Sequence, residues 1–239
     1  MEKTNFKHSY NELSAEAVRG RIQKMLAFRN DVDADNAAVK LSRGNRKTGS
    51  LVPSVSLIPV ADCGNCKSCA RGCYAIKHVC IYPSVQKQVA NNSALAHKRP
   101  DRYFAGIREE VRFSSFFRWH VQGDILDNNY LQNMIQIAID TPNCQFLAFT
   151  KMFDLVNGWI DENGDLPKNL HIIFSDWKGL EMNNRHGLPV SSPIWSDGTT
   201  GENVTEKRTL CTGFCEECAR TNTGCWSAAK GDTILFEAH

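Results

Sequence analysis

The chain lacks any long apolar run. Nowhere do roughly 18 apolar residues follow one another, so nothing reads as a membrane-spanning helix. No apolar stretch follows Met1-Glu-Lys-Thr-Asn-Phe-Lys-His, and we expect no secretory signal. Charge of one sign is also missing: 28 basic residues stand against 26 acidic ones, a net +2 over 239 residues. That balance gives no general case for a nucleic-acid or membrane partner. There is no internal repeat and no low-complexity segment. What remains is a chain with 42% hydrophobic residues, enough for a core that needs no staples.

What is present is cysteine, ten in all. Four fall in Cys63-Gly-Asn-Cys66-Lys-Ser-Cys69-Ala-Arg-Gly-Cys73-Tyr74. Their spacing is that of the bacterial ferredoxin run, with Tyr74 where those proteins carry Pro. A second group comprises Cys211, Cys215, Cys218 and Cys225. Clustering of this kind without a signal sequence points to metal in a reducing compartment rather than to disulfides. Soft thiolates suit zinc or an iron–sulfur cluster. Structural zinc usually spreads two knuckles over a spacer, whereas the first group crowds four thiolates into one loop. Iron–sulfur is therefore the expectation and zinc the alternative. Cys80, two helical turns beyond Cys73, is a candidate extra ligand, and Cys144 reads as a packing cysteine. In two-cluster ferredoxins the fourth cysteine of such a run serves the other cluster. We thus expect the late group to fold over the first and share one metal region, as two close cubanes or one larger cluster.

Residues 1–45 read as a polar lead and an amphipathic helix, capped by Ser14 and striped by Val18, Ile22, Met25 and Leu26. This helical extension precedes a single β/α metal-binding domain over 46–239. The segment from Arg43 to Gly49 is basic and bounded by glycine, either an anion-holding loop or a solvated turn. Strands are expected at 51–60, 116–121, 145–149 and 170–174, with further ones at 188–195 and 233–236. Helices are expected at 74–80, 84–97, 100–113, 128–140 and 152–157. The late cysteines fall in a loop region without an element of its own. This alternation implies parallel β/α units, too few to complete an eight-fold barrel. The expected fold class is α/β: a partial or open parallel β/α barrel with cysteine-rich loops at the C-terminal rim of the strands.

Sites in such folds gather at that rim. The strand ends carry His120, Asp124, Thr150, Lys151, Ser175 and Asp176. We take His120, Asp124, Lys151 and Asp176 as candidate catalytic residues, and Asp124, Thr150 and Ser175 as candidates for holding a cofactor. Each alone has an ordinary explanation as a helix cap, a strand end or a satisfied core histidine. Together beside a metal loop they suggest a pocket.

Several motifs occur in order: Asn45-x-Lys47-Thr-Gly49, Ser54-x-Ser56-Leu57-x-Pro59, the first cysteine run with Tyr74-Ala75, and Arg118-Trp-His-x-x-Gly123-Asp124 with Tyr130. The strand end Phe146 to Lys151 and the late cysteines follow. Over residues 45–230 this string resembles the phage gene-product-eighty-eight family, found in phages and in bacteria that carry them. The resemblance implies a cysteine-rich metalloprotein of the bacterial host cytoplasm. Its expected role is redox or radical-type; the alternative is a structural zinc or interaction module in phage assembly or host takeover. A looser similarity is to radical S-adenosylmethionine enzymes, which place a cysteine loop after the first strand of a partial barrel. They also put a Gly-acidic motif at the end of the second strand, which adds Gly123 to the cofactor-binding candidates. That similarity implies S-adenosylmethionine, an electron donor and reductive chemistry on a small-molecule substrate. The spacing departs from theirs: C-x3-C-x2-C occurs here only in Cys211, Cys215 and Cys218.

Overall fold

A computed structural model describes residues 11–44, 48–66 and 68–238, with the backbone alone at 78 and 79. Residues 45–47, which carry part of the basic loop and the Asn45-x-Lys47 motif, and the polar lead at 1–10 lie outside the described residues.

Helix α1 (Ala15–Asn30) begins as expected, with the Ser14 hydroxyl accepting from the Ala17 N–H at 3.1 Å. Its buried Val18 and Met25 pack with Ile58, Ile76, Val89 and Ala90. Strand β1 is short, Ser54–Val55. A π-helical turn follows the first cysteines at Ala75–Val79, then α2 (Pro83–Lys98) and α3 (Pro100–Val111). The alternation continues through β2 (Phe116–Trp119), α4 (Asn128–Asp140), β3 (Gln145–Thr150), α5 (Phe153–Asn163), β4 (Leu170–Ser175) and β5 (Val190–Ile194). The chain closes with β6 (Arg208–Leu210), α6 (Cys215–Thr221), a 3-10 turn at Gly224–Trp226 and β7 (Thr233–Glu237).

The seven strands form one sheet in the order β1-β2-β3-β4-β5-β7-β6, every neighbouring pair parallel. The sheet does not close on itself: β1 and β6 are its two edges. The α/β class and the parallel pairing thus match the reading of the sequence, and the architecture is an open sheet. Several boundaries differ, among them α5, expected at 152–157, which runs to Asn163. The strand expected at 51–60 shrinks to two residues because Leu57 N donates to the Gln122 carbonyl, and Val60 turns to φ +70°. The late cysteine region, read as a loop, contains β6 and α6.

Side chains alternate across a strand, so one sheet carries two different faces. One face presents Phe117, Trp119, Phe146, Ala148, Ile172 and Phe174 to a core completed by α3, α4 and α5. The other presents Leu147, Ile173 and Ile234, covered by Val52, Ala219 and Trp226. Strands apolar on both faces are what a parallel sheet buried between layers requires.

Candidate functional site

The first cysteine group is a loop fastened to the ends of other strands. Asn65 Nδ2 donates to the Lys151 carbonyl just beyond β3, and Ser68 Oγ to the Gly179 carbonyl beyond β4, both at 3.4 Å. The Tyr74 hydroxyl donates to the Val121 carbonyl beyond β2. Within the loop the Cys66 and Cys69 sulfurs stand 3.5 Å apart, and Val60 N donates to Cys63 Sγ at 3.3 Å. The Cys66 thiol holds Cys69 down to about 6, and Lys151 adds to that pull against the cost of burial. Cys66 itself is pushed well up by its sulfur neighbours Cys63 and Cys69. Burial raises Cys73 to about 11 and Cys80 to about 12. Cys80 is fully buried and turns to Gln122 Oε1 at 3.7 Å.

Asp124 ties this loop to β3. Its carboxylate accepts from Thr150 Oγ1 at 2.6 Å, Lys151 N at 2.8 Å and Ile125 N at 2.7 Å, while its own N–H donates to the Asp62 carbonyl. Burial nevertheless raises its pKa, the hydrogen bonds opposing. Gly123 has φ +85°, and a Cβ there would strike Leu57, so glycine is needed for close approach. His120 lies elsewhere. Buried at φ +49°, it meets Tyr130 Oη through Nε2 at 2.9 Å, and Tyr130 meets Tyr103 Oη at 2.7 Å. Burial drives its pKa down to about 3. Asp176 accepts from Asn203, Trp177 N and Ser192 Oγ and so holds the loop after β5. Ser175 pairs with Ser191 in the sheet ladder. Of the strand-end set, then, Asp124, Thr150 and Lys151 meet at the first cysteine loop. His120, Ser175 and Asp176 are engaged in other contacts.

The late group lies on a face of the sheet and not over the strand ends. Trp226 packs edge-on against Phe116 and His171, both near the starts of their strands. Cys211, Cys218 and Cys225 pack around the same apolar cluster. Cys225 is raised to about 12, first by burial, then by the nearness of Cys211, with Arg118 opposing and Cys215 and Cys218 adding. Arg118 projects from β2 into this group. It is 8% exposed, its Nη1 donates to Cys215 Sγ at 3.6 Å, and its guanidinium lies 5.0 Å from the Phe149 ring centre. Its Nε has no hydrogen-bond partner among the described residues.

The profile of the family described as gene product 88 matches residues 25–187. The chain belongs to the gene product 88 family. The match spans well over half the chain and contains the first cysteine group and the strand ends; it stops before the late cysteines. No curated protein and no solved structure matches this family member. Among its described residues no helix is long and apolar enough to cross a membrane.

Reading the sequence missed Asp62, His97, Arg118 and Tyr103 as members of polar networks. Asp62 and His97 are 35 positions apart and join at 2.9 Å. Only the tertiary fold brings them together. The signal for Arg118 was present, a charged residue inside an apolar strand. Among the described residues, no group of three or more His, Cys, Asp or Glu side chains is disposed as it stands to hold a metal ion. The donor set is nonetheless that of a soft metal, and a buried cation faces the late thiols.

Proposed function

We propose that this protein holds iron–sulfur clusters in two separate, neighbouring centres and serves a redox role. The early centre, at the C-terminal rim of the strands, takes Cys63, Cys66, Cys69 and Cys73. The late centre, on the sheet face, takes Cys211, Cys215, Cys218 and Cys225. Arg118 is the observation that carries this. A buried guanidinium with no carboxylate beside it among the described residues is costly, and neutral thiols do not offset it. A thiolate-bound cluster is anionic and would supply the missing counter-charge. The reading narrows the shared region expected from sequence to two sites. The thiols near Cys66 are Cys63 and Cys69, those near Cys225 are Cys211, Cys215 and Cys218, and Tyr74 is within electrostatic reach of both Cys73 and Cys215. Cys80 stays outside as a packing residue beneath the early centre, while Lys151 and Asp124 flank that centre.

A second reading, structural zinc, is favoured by one distance. Tetrahedral Zn–S bonds of about 2.3 Å put sulfurs roughly 3.8 Å apart, close to the 3.5 Å between Cys66 and Cys69. Purification without air distinguishes the two readings. Iron with acid-labile sulfide and a broad visible absorption is the expected result. A colourless protein with stoichiometric zinc and no sulfide would overturn the cluster reading and leave the zinc one.

A further inference from the structure

Beside the early cysteine loop lies a cleft of about 310 Å³ that the metal reading does not use. Its apolar wall is Ala96, Pro100, Phe104 and Leu126, with the Tyr130 ring packed edge-on against Phe104 at 4.9 Å. Its polar edge is Asp62, His97, Asp127 and Asn129. Among the described residues, no lysine or arginine lines it.

The two carboxylates are held differently. The Asp62 side chain is 1% exposed and fully occupied: Oδ2 accepts from Ile58 N at 2.9 Å, Oδ1 meets His97 Nε2 at 2.9 Å, and Arg29 approaches to 3.8 Å. Its task is to fix the His97 ring. With Nε2–H turned to Asp62, His97 keeps Nδ1 as an acceptor on a side chain that is 45% exposed. Asp127 is exposed; its Oδ1 caps α4 by accepting from Tyr130 N at 2.8 Å. An anionic ligand would meet no lysine or arginine among the described residues of this lining. A flat, apolar body with hydrogen-bond donors and positive charge would find a ring wall, the His97 Nδ1 acceptor and a solvent-facing carboxylate.

We propose that this cleft binds a small, flat organic cation of the amidine or ring-amine class. The apolar body lies along Phe104 and Leu126. The charged donors face Asp127 and the Nδ1 of His97. The site stands on its own geometry and does not depend on which metal the cysteines take.

The test uses the full-length protein as purified and three isosteric probes: benzamidine, benzoate and benzyl alcohol. Binding is read from amide NMR shifts at His97, Asn129 and Tyr130, away from the cysteine loop. Benzamidine should bind saturably, with shifts confined to the cleft, and the other two should bind far more weakly. Asp127→Asn removes the charge and keeps a capping acceptor, so the helix start survives. It should weaken benzamidine about tenfold, the scale of one charged hydrogen bond. The proposal is overturned if benzoate or benzyl alcohol matches benzamidine, if no probe moves these amides, or if Asp127→Asn binds unchanged. None of these readouts depends on iron or sulfide, so failure here leaves the cluster reading intact, and the converse holds.

Discussion

The two cysteine groups carry the same chemistry on different supports. The early group is a loop anchored by hydrogen bonds to backbone beyond β2, β3 and β4, next to a buried carboxylate and a lysine. The late group is a short helix and turn that cover an apolar sheet face and surround a buried arginine. The early site is held by the fold and tuned by a balanced pair of charges. The late site helps to hold the fold and is dominated by one cation. Metal bound in the two places should therefore matter in different ways, and the contrast can be broken experimentally.

Removing metal should give the largest effect. Binding at a cysteine tetrad contributes on the order of 10 kcal/mol, and where no preformed site exists that energy is folding energy. Helix α6 has only seven residues and is too short to persist alone. After chelation, limited proteolysis should cut first between Cys211 and Trp226, while the sheet core and the anchored early loop resist. Equal cutting in both cysteine regions would show that the difference in support is not real.

Arg118→Met comes next. In the loaded protein it leaves an anionic centre without its cation, and the late metal should bind at least about a hundredfold more weakly, close to the cost of breaking a buried pair. In the metal-free protein the sign reverses. There the substitution removes a desolvated charge and should be neutral or stabilising. Metal competition at the late site and thermal unfolding of the metal-free form measure the two halves. Destabilisation of both forms alike would make Arg118 a plain packing residue.

The parts of the fold legible in the sequence were those written in local pattern. Ser14 before an apolar stripe gave α1, and the alternation from β2 to β4 gave the parallel units. The strand-end residues Asp124, Thr150 and Lys151 were legible because a parallel sheet gathers its exits on one edge. What stayed hidden depended on distant pairing. β7 inserts between β5 and β6, an order that no local pattern encodes. α6 opens on Cys215, Glu216 and Glu217 and shows no apolar stripe of its own. Val52, two residues before β1, reads as part of a longer strand, but it packs with Trp226 and Ala219. The late group was expected over the rim; it lies on the sheet face, where Trp226 packs edge-on against Phe116 and His171.

The smallest effect expected is at His120, at the end of β2, and it appears in the pH dependence. Its imidazole is buried, its Nδ1 has no partner among the described residues, and burial lowers its pKa from 6.5 to about 3. A histidine with a depressed folded pKa binds its proton more readily once the chain unfolds. Its contribution to stability is therefore complete above the unfolded value and is lost as pH falls from about 6.5 toward about 3. Between pH 7 and pH 5 that loss is about 2 kcal/mol. His120→Gln keeps a polar group where Nε2 meets Tyr130 and removes the titration. Both proteins lose stability in acid through other groups, so the difference between them is the readout. Denaturant unfolding at pH 7 and pH 5 should show the wild type falling by about 2 kcal/mol more than the variant. Because the late site lies on the sheet face carrying Phe116 and Leu147, its metal affinity at fixed pH should be the same in both proteins. Parallel acid curves would mean that His120 is already charged in the fold, with its free Nδ1 reaching an acceptor.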